Sequence, residues 1–347
     1  MSIENDKLLS ALGIGTLDRA ATDSLYGLKY NSNPSPVKPI KDSPGLTFMV
    51  RPQLALTDAN IKHNGQLSDL ATTDLYSEWA YIRALLDPHF SVTNPGTVSK
   101  LIDLKQAFIP FITNNVTDVS GWRSESIATR ETKPGMMKEQ LIFPDGIINY
   151  YGNFDLDIVV KNSQGSPVDK MLQIWEQYMS LNLIGNIEPY PWIMANKLRD
   201  YTTRVYRLIL SEDGIYVRHI AASAGSFPVN NEMGKIFDYT KDGGYQDAVS
   251  NRTIRLASTA PIYDDFRMVE AFNWVVGVFH PGMRDLRWKI VKNKEVDVWK
   301  VPRNILPKLN YRMYPHINVL TYELEWYIDK EYVEEATAEI DPDLKIG

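Results

Sequence analysis

Apolar and polar residues alternate along much of this chain, and such alternation predicts β-strands with one buried face. The run Phe-Asp-Leu-Asp-Ile-Val-Val at 154–160 places its apolar side chains on one face and Asp155 and Asp157 on the other. The same alternation at 316–328 predicts one long strand. Shorter strands are predicted at 46–51, 107–117, 201–210, 215–222 and 253–257. The pattern therefore indicates a mainly β protein.

Two stretches have the spacing of amphipathic helices instead. In the first, four apolar residues recur at helical intervals between positions 75 and 86, and Thr73 is the predicted N-cap. In the second, Ser166 is the predicted N-cap, Pro167 suits the first turn and Asp169 completes a capping-box-like pattern. The fold class that follows is mainly β with flanking helices, α+β.

The segment near 124–144 also contains β-branched and aromatic residues, and turn signals at Pro134-Gly135 and Pro144-Asp-Gly interrupt it. It is therefore predicted to be β-rich as well.

Composition excludes several classes of chemistry. The 347 residues are 44% hydrophobic and 23% charged, which is ordinary for a globular protein. The net charge of −6 gives no overall attraction for nucleic acid or an anionic membrane. No cysteine is present, so disulfides, thiolate nucleophiles and cysteine–metal sites are excluded.

The N-terminus has no basic stretch followed by an apolar one, and no apolar run approaches the roughly 20 residues that cross a bilayer. We therefore expect synthesis in a cytoplasm and no membrane insertion.

Catalytic motifs are absent from the sequence. Met233-Gly-Lys-Ile236 lacks the hydroxyl residue of a phosphate loop, and Ala224-Gly-Ser-Phe-Pro228 is not the Gly-x-Ser-x-Gly of a serine nucleophile. The five histidines have no zinc-ligand spacing. We expect no catalytic, cofactor or metal site, and hence no enzyme.

Two other function classes stay open at this point. Exposed Trp and Tyr side chains could form the platform of a carbohydrate- or receptor-binding module. Asp155 and Asp157 could serve a hydrolase built on scattered carboxylates, although any solvent-facing strand shows the same spacing.

The order of these elements resembles the tail-tube-type structural proteins of tailed bacteriophages. A region that matches a long twisted β-hairpin (124–152) precedes Gly152-Asn-Phe-Asp-Leu-Asp-Ile-Val-Val160. A helix and a strand pair follow, and then comes Gly225-Ser-Phe-Pro-Val-Asn-Asn231. In such proteins a phrase of this kind leads to the closing strand, here 317–328. Gly45-Leu-Thr-Phe-Met-Val-Arg-Pro-Gln-Leu54 also resembles a phrase near the start of large phage structural proteins.

This resemblance implies a small β-sandwich or barrel flanked by a helix, with an N-terminal extension and an insertion. It also implies a homo-oligomer: six copies form a ring, the hairpins join into an inner β-barrel, and stacked rings enclose a channel for DNA ejection. The implied location is the tail of the virion, after synthesis in the host cytoplasm.

The resemblance divides the chain into five parts: an N-terminal segment with a proline-rich arm (1–44), a mixed extension (45–105), the tube-like domain (106–238 with 316–330), an insertion (239–315) and an acidic tail (331–347).

It also gives roles to residues of the hairpin region. The expected subunit contacts are Trp122, Met136, Met137, Phe143 and Tyr151. The expected channel-lining residues are Glu125, Arg130, Glu131, Lys133, Lys138 and Glu139.

The partners implied are further copies of the chain in ring and stack, together with tail sheath, tape-measure, baseplate or neck proteins. DNA would be only the conducted cargo. A tube-like ring at the baseplate hub or neck is the alternative station for such a subunit.

Overall fold

The computed structural model describes residues 43–93, 99, 101–124, 126–148, 152–161, 163, 165–196, 198–231, 233–236, 251–292, 296–306 and 312–333. The chain divides into two units after Pro44, and the features below belong to the second, Gly45–Gly347. The predicted arm lies outside the described residues up to position 42, and the predicted acidic tail lies outside them from position 334.

Eleven strands occur in the described ranges. They are β1 (Gly45–Met49), β2 (Val116–Ser120), β3 (Ser126–Glu131), β4 (Ile142–Ile148), β5 (Asn153–Lys161), β6 (Val205–Leu210), β7 (Val217–Pro228), β8 (Asn251–Tyr263), β9 (Val298–Lys300), β10 (Tyr314–Ile317) and β11 (Leu324–Asp329).

Eight α-helices occur in the same ranges. They are α1 (Asp58–His63), α2 (Glu78–Leu86), α3 (Pro88–Thr93), α4 (Pro110–Thr113), α5 (Pro167–Leu183), α6 (Pro191–Ala195), α7 (Phe266–Phe279) and α8 (Leu286–Val291). Short 3-10 turns lie at Gly65–Leu70, Met233–Ile236, Pro281–Met283 and Lys330–Tyr332.

The main sheet contains six strands in the order β1-β6-β7-β8-β5-β2, and every neighbouring pair is antiparallel. It curves into a nearly closed, barrel-like form. A second sheet has the order β10-β11-β9, and β3 pairs with β4 alone. The predicted fold class, mainly β with flanking helices, is confirmed.

Two helices bury the inner face of the main sheet. Leu156 of β5 and Leu256 of β8 belong to the same buried cluster as Trp175 of α5. At the other end of the sheet, Phe272 of α7 packs against Phe48 of β1, with the ring centroids 5.3 Å apart. Removing these side chains from water is the main source of stability in a cysteine-free chain.

Elements with a complete local pattern are found where they were predicted. β5 covers the predicted strand at 154–160, and β6 and β7 form the predicted hairpin around a turn in which Gly214 has φ 68°. The first predicted helix begins four residues late, because Ser77 rather than Thr73 accepts the capping hydrogen bond, from the amide of Ala80.

The second predicted helix is α5, but its predicted cap is wrong. Ser166 has φ 53° and makes no side-chain capping bond. Asp169 accepts a hydrogen bond from the Arg252 Nε at 3.0 Å instead, and both side chains are buried. The first turn of α5 is therefore tied to β8 by an ion pair.

The single strand predicted at 316–328 is also wrong, because a turn splits it into β10 and β11. The side chain of Asn318 accepts hydrogen bonds from the amides of Leu320 and Thr321, and Tyr322 has φ 58°. Leu320 takes an apolar position of the alternation but is 74% exposed. The resulting hairpin lies in the second sheet and so does not close the main one.

The predicted domain boundaries cut across the main sheet. β1 comes from the expected extension at 45–105, and β8 comes from the expected insertion at 239–315. β8 nevertheless lies between β7 and β5, where it pairs over its whole length. Residues 251–263 are thus part of the central sheet, because their alternating face completes its core.

Candidate assembly surfaces

The β3–β4 hairpin is the most exposed ordered element in the described part of the chain. It pairs from Ser126 with Ile148 to Glu131 with Ile142 and forms a two-stranded sheet separate from the main one. At its base, Arg123 Nη1 donates to the carbonyl of Asn153 at 2.9 Å. The hairpin is therefore attached to the body mainly at its base.

The tip of the hairpin is an ordered turn. The amide of Gly135 donates to the carbonyl of Glu139, and the amide of Lys138 donates back to the carbonyl of Gly135, both at 3.0 Å. Glu139 Oε2 also accepts from the amide of Met137 at 2.8 Å. These bonds fix the direction in which the two methionines leave the backbone.

Large apolar side chains on the hairpin are open to solvent. Those at least half exposed are Ile127, Met136, Met137, Leu141, Ile142 and Phe143. Met136 is 100% and Met137 91% exposed. A lone two-stranded hairpin is marginally stable in water, and clustered exposed apolar side chains are typical of interaction surfaces.

Apart from Trp122, the described members of the two predicted residue sets lie on this one hairpin. Arg130 lies directly opposite Phe143 in the register, so a predicted channel residue and a predicted contact residue share a face. Glu131, Lys133, Lys138 and Glu139 are exposed on the same element. Glu125 and Tyr151 lie outside the described residues.

Trp122 differs from the other predicted contact residues because it is half-buried within its own chain. Its ring lies 5.8 Å from that of Phe154 and 6.2 Å from that of Tyr263. Its Nε1 is buried and has no hydrogen-bond acceptor among the described residues. The residue supports the base of the hairpin.

A second surface is the polar outer face of strands β2, β5 and β8. Asp157 is paired with Ser120 on one side and Arg255 on the other, and it accepts a 3.0 Å hydrogen bond from the Arg255 Nε. The residues paired across the middle of this face are Asp118, Ser120, Asp155, Asp157, Val159, Thr253, Arg255 and Ala257. All are exposed or half-exposed, whereas their strand neighbours Leu156 and Ile254 are fully buried.

This polar face carries more negative than positive charge. Three carboxylates, from Asp118, Asp155 and Asp157, stand against Arg255 and, at the end of β5, Lys161. Such a face attracts no polyanion, since nonspecific DNA binding depends on Lys and Arg neutralising phosphates. The sequence showed Asp155 and Asp157 only as a solvent-facing pair, and the pairing with β8 reveals the shared surface.

A third surface is a groove beside α7, a feature that the sequence did not indicate. Glu270, Trp274 and Gly277 occur at helical spacing on one side of α7, and Trp288 of α8 lines the opposite wall. The cavity measures about 520 Å³. Trp274 is 70% and Trp288 61% exposed, which is unusual for tryptophan.

The floor of the groove is held in place from below. Asn273 Nδ2 donates to the carbonyl of Ile317 at 2.7 Å, and its Oδ1 accepts from the amide of the same residue at 2.8 Å. This amide–backbone pair joins α7 to β10, so the second sheet supports the groove wall.

Chemical groups that could act in catalysis have structural partners. His219 lies 2.8 Å from Asp264, but Asp264 also accepts from the amide of Ile220 and holds the β7–β8 region. Within the described ranges, no cluster of three or more His, Asp or Glu could bind a metal ion. No helix in those ranges is both long and apolar enough to span a membrane.

The sequence of this chain matches, over residues 1–339, a protein family described as "Putative phage tail tube protein". The search of curated proteins found no match.

Three solved structures show low overall similarity. The cap that terminates the tube of the anti-feeding prophage is 14% identical over 46% of this chain and 83% of that chain, with a TM-score of 0.27. The sheath/tube terminator of the PVC extracellular contractile injection system is 11% identical over 46% and 89%, with a TM-score of 0.24. The sheath–tube complex of the PVC system is 14% identical over 46% and 83%, with a TM-score of 0.25.

Proposed function

Since the chain belongs to the phage tail tube protein family, which it matches over residues 1–339, we propose that it is a non-catalytic subunit of a tail tube. Copies associate into rings, six to a ring, and the rings stack to enclose a channel through which DNA leaves the virion. A tube-like ring at the baseplate hub or neck is the alternative position for the same subunit.

The exposed β3–β4 hairpin is the observation that carries this proposal. It presents six large apolar side chains to solvent along its strands and tip. In an isolated chain these side chains contribute no burial and so do not stabilise the fold. Burying them against another copy removes apolar surface from water, worth roughly 25 cal/mol per Å². The predicted contact residues Met136, Met137 and Phe143 are the core of this surface.

The polar face of β2, β5 and β8 supplies the second part of the proposal. It faces the channel together with the charged residues of the hairpin strands, Arg130 and Glu131, and DNA slides past because acidic and basic side chains are mixed there. The outer edge of β2 at Val116–Ser120, which pairs with no other strand in the described ranges, then meets a neighbouring copy that would shield it. The further partners in this scheme are tail sheath, tape-measure and baseplate or neck proteins.

Negative-stain electron microscopy of the purified protein, with light scattering for mass, tests the proposal. We expect rings or hollow tubes, and we expect the double variant Ile142→Glu, Phe143→Glu to remain monomeric. The variant Leu183→Glu is the matched control, since Leu183 is 89% exposed at the end of α5, away from the hairpin strands. A wild-type chain that stays monomeric at all concentrations would overturn the proposal and favour a binding module instead.

A further inference from the structure

We propose, on the basis of the function proposed above, that the methionine tip of one subunit's hairpin seats in the tryptophan groove beside α7 of a second copy. The tip consists of Met136 and Met137, and the groove is the one between Trp274 and Trp288. The occupant of the groove is therefore another copy of this chain.

The two surfaces have matching chemistry. Met136 and Met137 have unbranched, polarisable side chains, and methionine sulfur makes favourable contacts with aromatic rings. The walls of the groove offer two exposed indole rings. A cavity of about 520 Å³ has room for two such side chains.

Both surfaces carry charged side chains of both signs. Lys133, Lys138 and Glu139 are exposed at the tip, and Glu270, Arg284 and Asp285 line the groove. An orientation that sets the lysines of the tip against the carboxylates of the groove is favoured over one that brings like charges together.

The preformed state of both surfaces lowers the cost of association. Backbone hydrogen bonds already fix the turn at Gly135, and Asn273 already fixes the groove wall. Less conformational freedom is therefore lost when they meet.

The contact is heterologous, since the tip and the groove are different parts of the molecule. After the first contact forms, the dimer still has one free tip and one free groove, so copies add until a ring closes or a filament grows. The hairpin thus acts as the connector between neighbouring subunits.

The absence of cysteine from the chain makes a clean crosslinking test possible. A chain carrying Lys133→Cys is mixed with one carrying Glu270→Cys, and a short bismaleimide joins thiols that lie close together. Both positions are exposed at the rims of the two surfaces, so the methionines and tryptophans stay intact. The control mixture replaces Glu270→Cys with Leu183→Cys, which is equally accessible on another element.

We expect covalent dimers in the first mixture and about tenfold less in the control. Adding Met136→Ser and Met137→Ser to the Lys133→Cys chain should lower the dimer yield about tenfold, because the buried apolar contact is lost. Circular dichroism of that variant verifies that the body is folded.

The outcomes separate the two proposals. Tubes in the microscope without crosslinking above the control would overturn the groove contact and leave the tube function standing. Crosslinked dimers without rings or tubes would support the groove contact and overturn the tube function. Monomers with no crosslinking would overturn both.

Discussion

The buried ion pair between Asp169 and Arg252 shows how much one residue can matter in this chain. Both side chains are at most 2% exposed, and the Nε of Arg252 lies 3.0 Å from Asp169. Removing one partner leaves a charge in a low-dielectric surrounding, which typically costs about 3–5 kcal/mol.

We therefore expect Asp169→Ala to lower the free energy of unfolding by about 3–5 kcal/mol, measured by urea denaturation at pH 7. Asp157→Ala is the matched control: it breaks the pair with Arg255, whose side chain is 52% exposed. That change should hardly move the midpoint, because solvent screens exposed pairs. Equal effects of the two variants would contradict the prediction.

Asp87 gives the chain a pH dependence of its own. Burial raises the pKa of its carboxyl to about 6, although the amides of Leu56 and Phe90 and the hydroxyl of Tyr190 donate to it at 2.8 Å and favour the ionised form. In the unfolded chain an aspartate titrates near pH 4. Between these two values the folded state holds a proton that the unfolded state releases, so this group's stabilising contribution falls as the pH rises.

We expect the contribution of Asp87 to the free energy of unfolding to decrease by about 2 kcal/mol from pH 4 to pH 6. The variant Asp87→Asn should lose this dependence, and the difference between the two urea-denaturation profiles measures it. Asp58→Asn serves as the control, since Asp58 is a solvent-exposed carboxylate. Parallel profiles for wild type and Asp87→Asn would refute the assignment.

Residue roles were only partly predictable from sequence. The resemblance to tail-tube proteins gave Met136, Met137 and Phe143 a role in subunit contacts, which requires that they be exposed in the single chain, and they are. Asp169 was interpreted as a helix cap, since its ion-pair partner Arg252 lies 83 positions away. The spacing of residues within one segment does not show which distant residue a side chain will pair with.

Among the elements, β2 depends on one glycine at its end. Gly121 has φ 98°, and a Cβ there would lie 2.1 Å from the carbonyl oxygen of Asp155 in β5. The absence of a side chain lets the strand leave the main sheet and turn toward the hairpin.

We expect Gly121→Ala to lower the free energy of unfolding by about 3 kcal/mol or more, since left-handed strain and a backbone clash add. Gly214→Ala separates the two causes: its φ of 68° gives similar strain, but no atom lies within 4 Å of the added Cβ. The control should lose about 1 kcal/mol. Thermal or urea denaturation of both variants gives the comparison, and equal losses would exclude the clash.

Elements were predictable where their pattern was complete within one segment. β5 alternates over nine residues and α5 presents one apolar face, so both follow from sequence. The alternation at 316–328 continued through a turn, and only the hydrogen bonds of Asn318 end the strand. The tryptophan groove could not be inferred, because apolar residues at helical spacing indicate a buried face, whereas Trp274 is exposed.

At the scale of the whole molecule, the edge strand β1 makes a prediction about truncation. A chain of residues 50–347 should melt several degrees lower than a chain of residues 45–347, or fail to fold, since it lacks β1 and with it Phe48 and Met49. Circular dichroism melts of the two chains test this, and equal melting temperatures would contradict it.

The strand order of the main sheet could not be predicted from local sequence patterns. Its order places β8 between β7 and β5. The pair β2–β5 and the group β1–β6–β7 therefore become one sheet only through β8, which comes later in the chain. The fold class follows from composition and alternation, whereas this order depends on contacts between distant segments.

The late position of β8 in the chain also affects folding during translation. β5 ends at Lys161 and its central partner begins at Asn251, about 90 residues later, which corresponds to roughly 5–20 s of translation. During that interval one edge of β5, and later one edge of β7, has no strand beside it. A nascent chain in this state is exposed to pairing with its neighbours on the same messenger, so we expect its yield to fall when translation is slowed between these two strands.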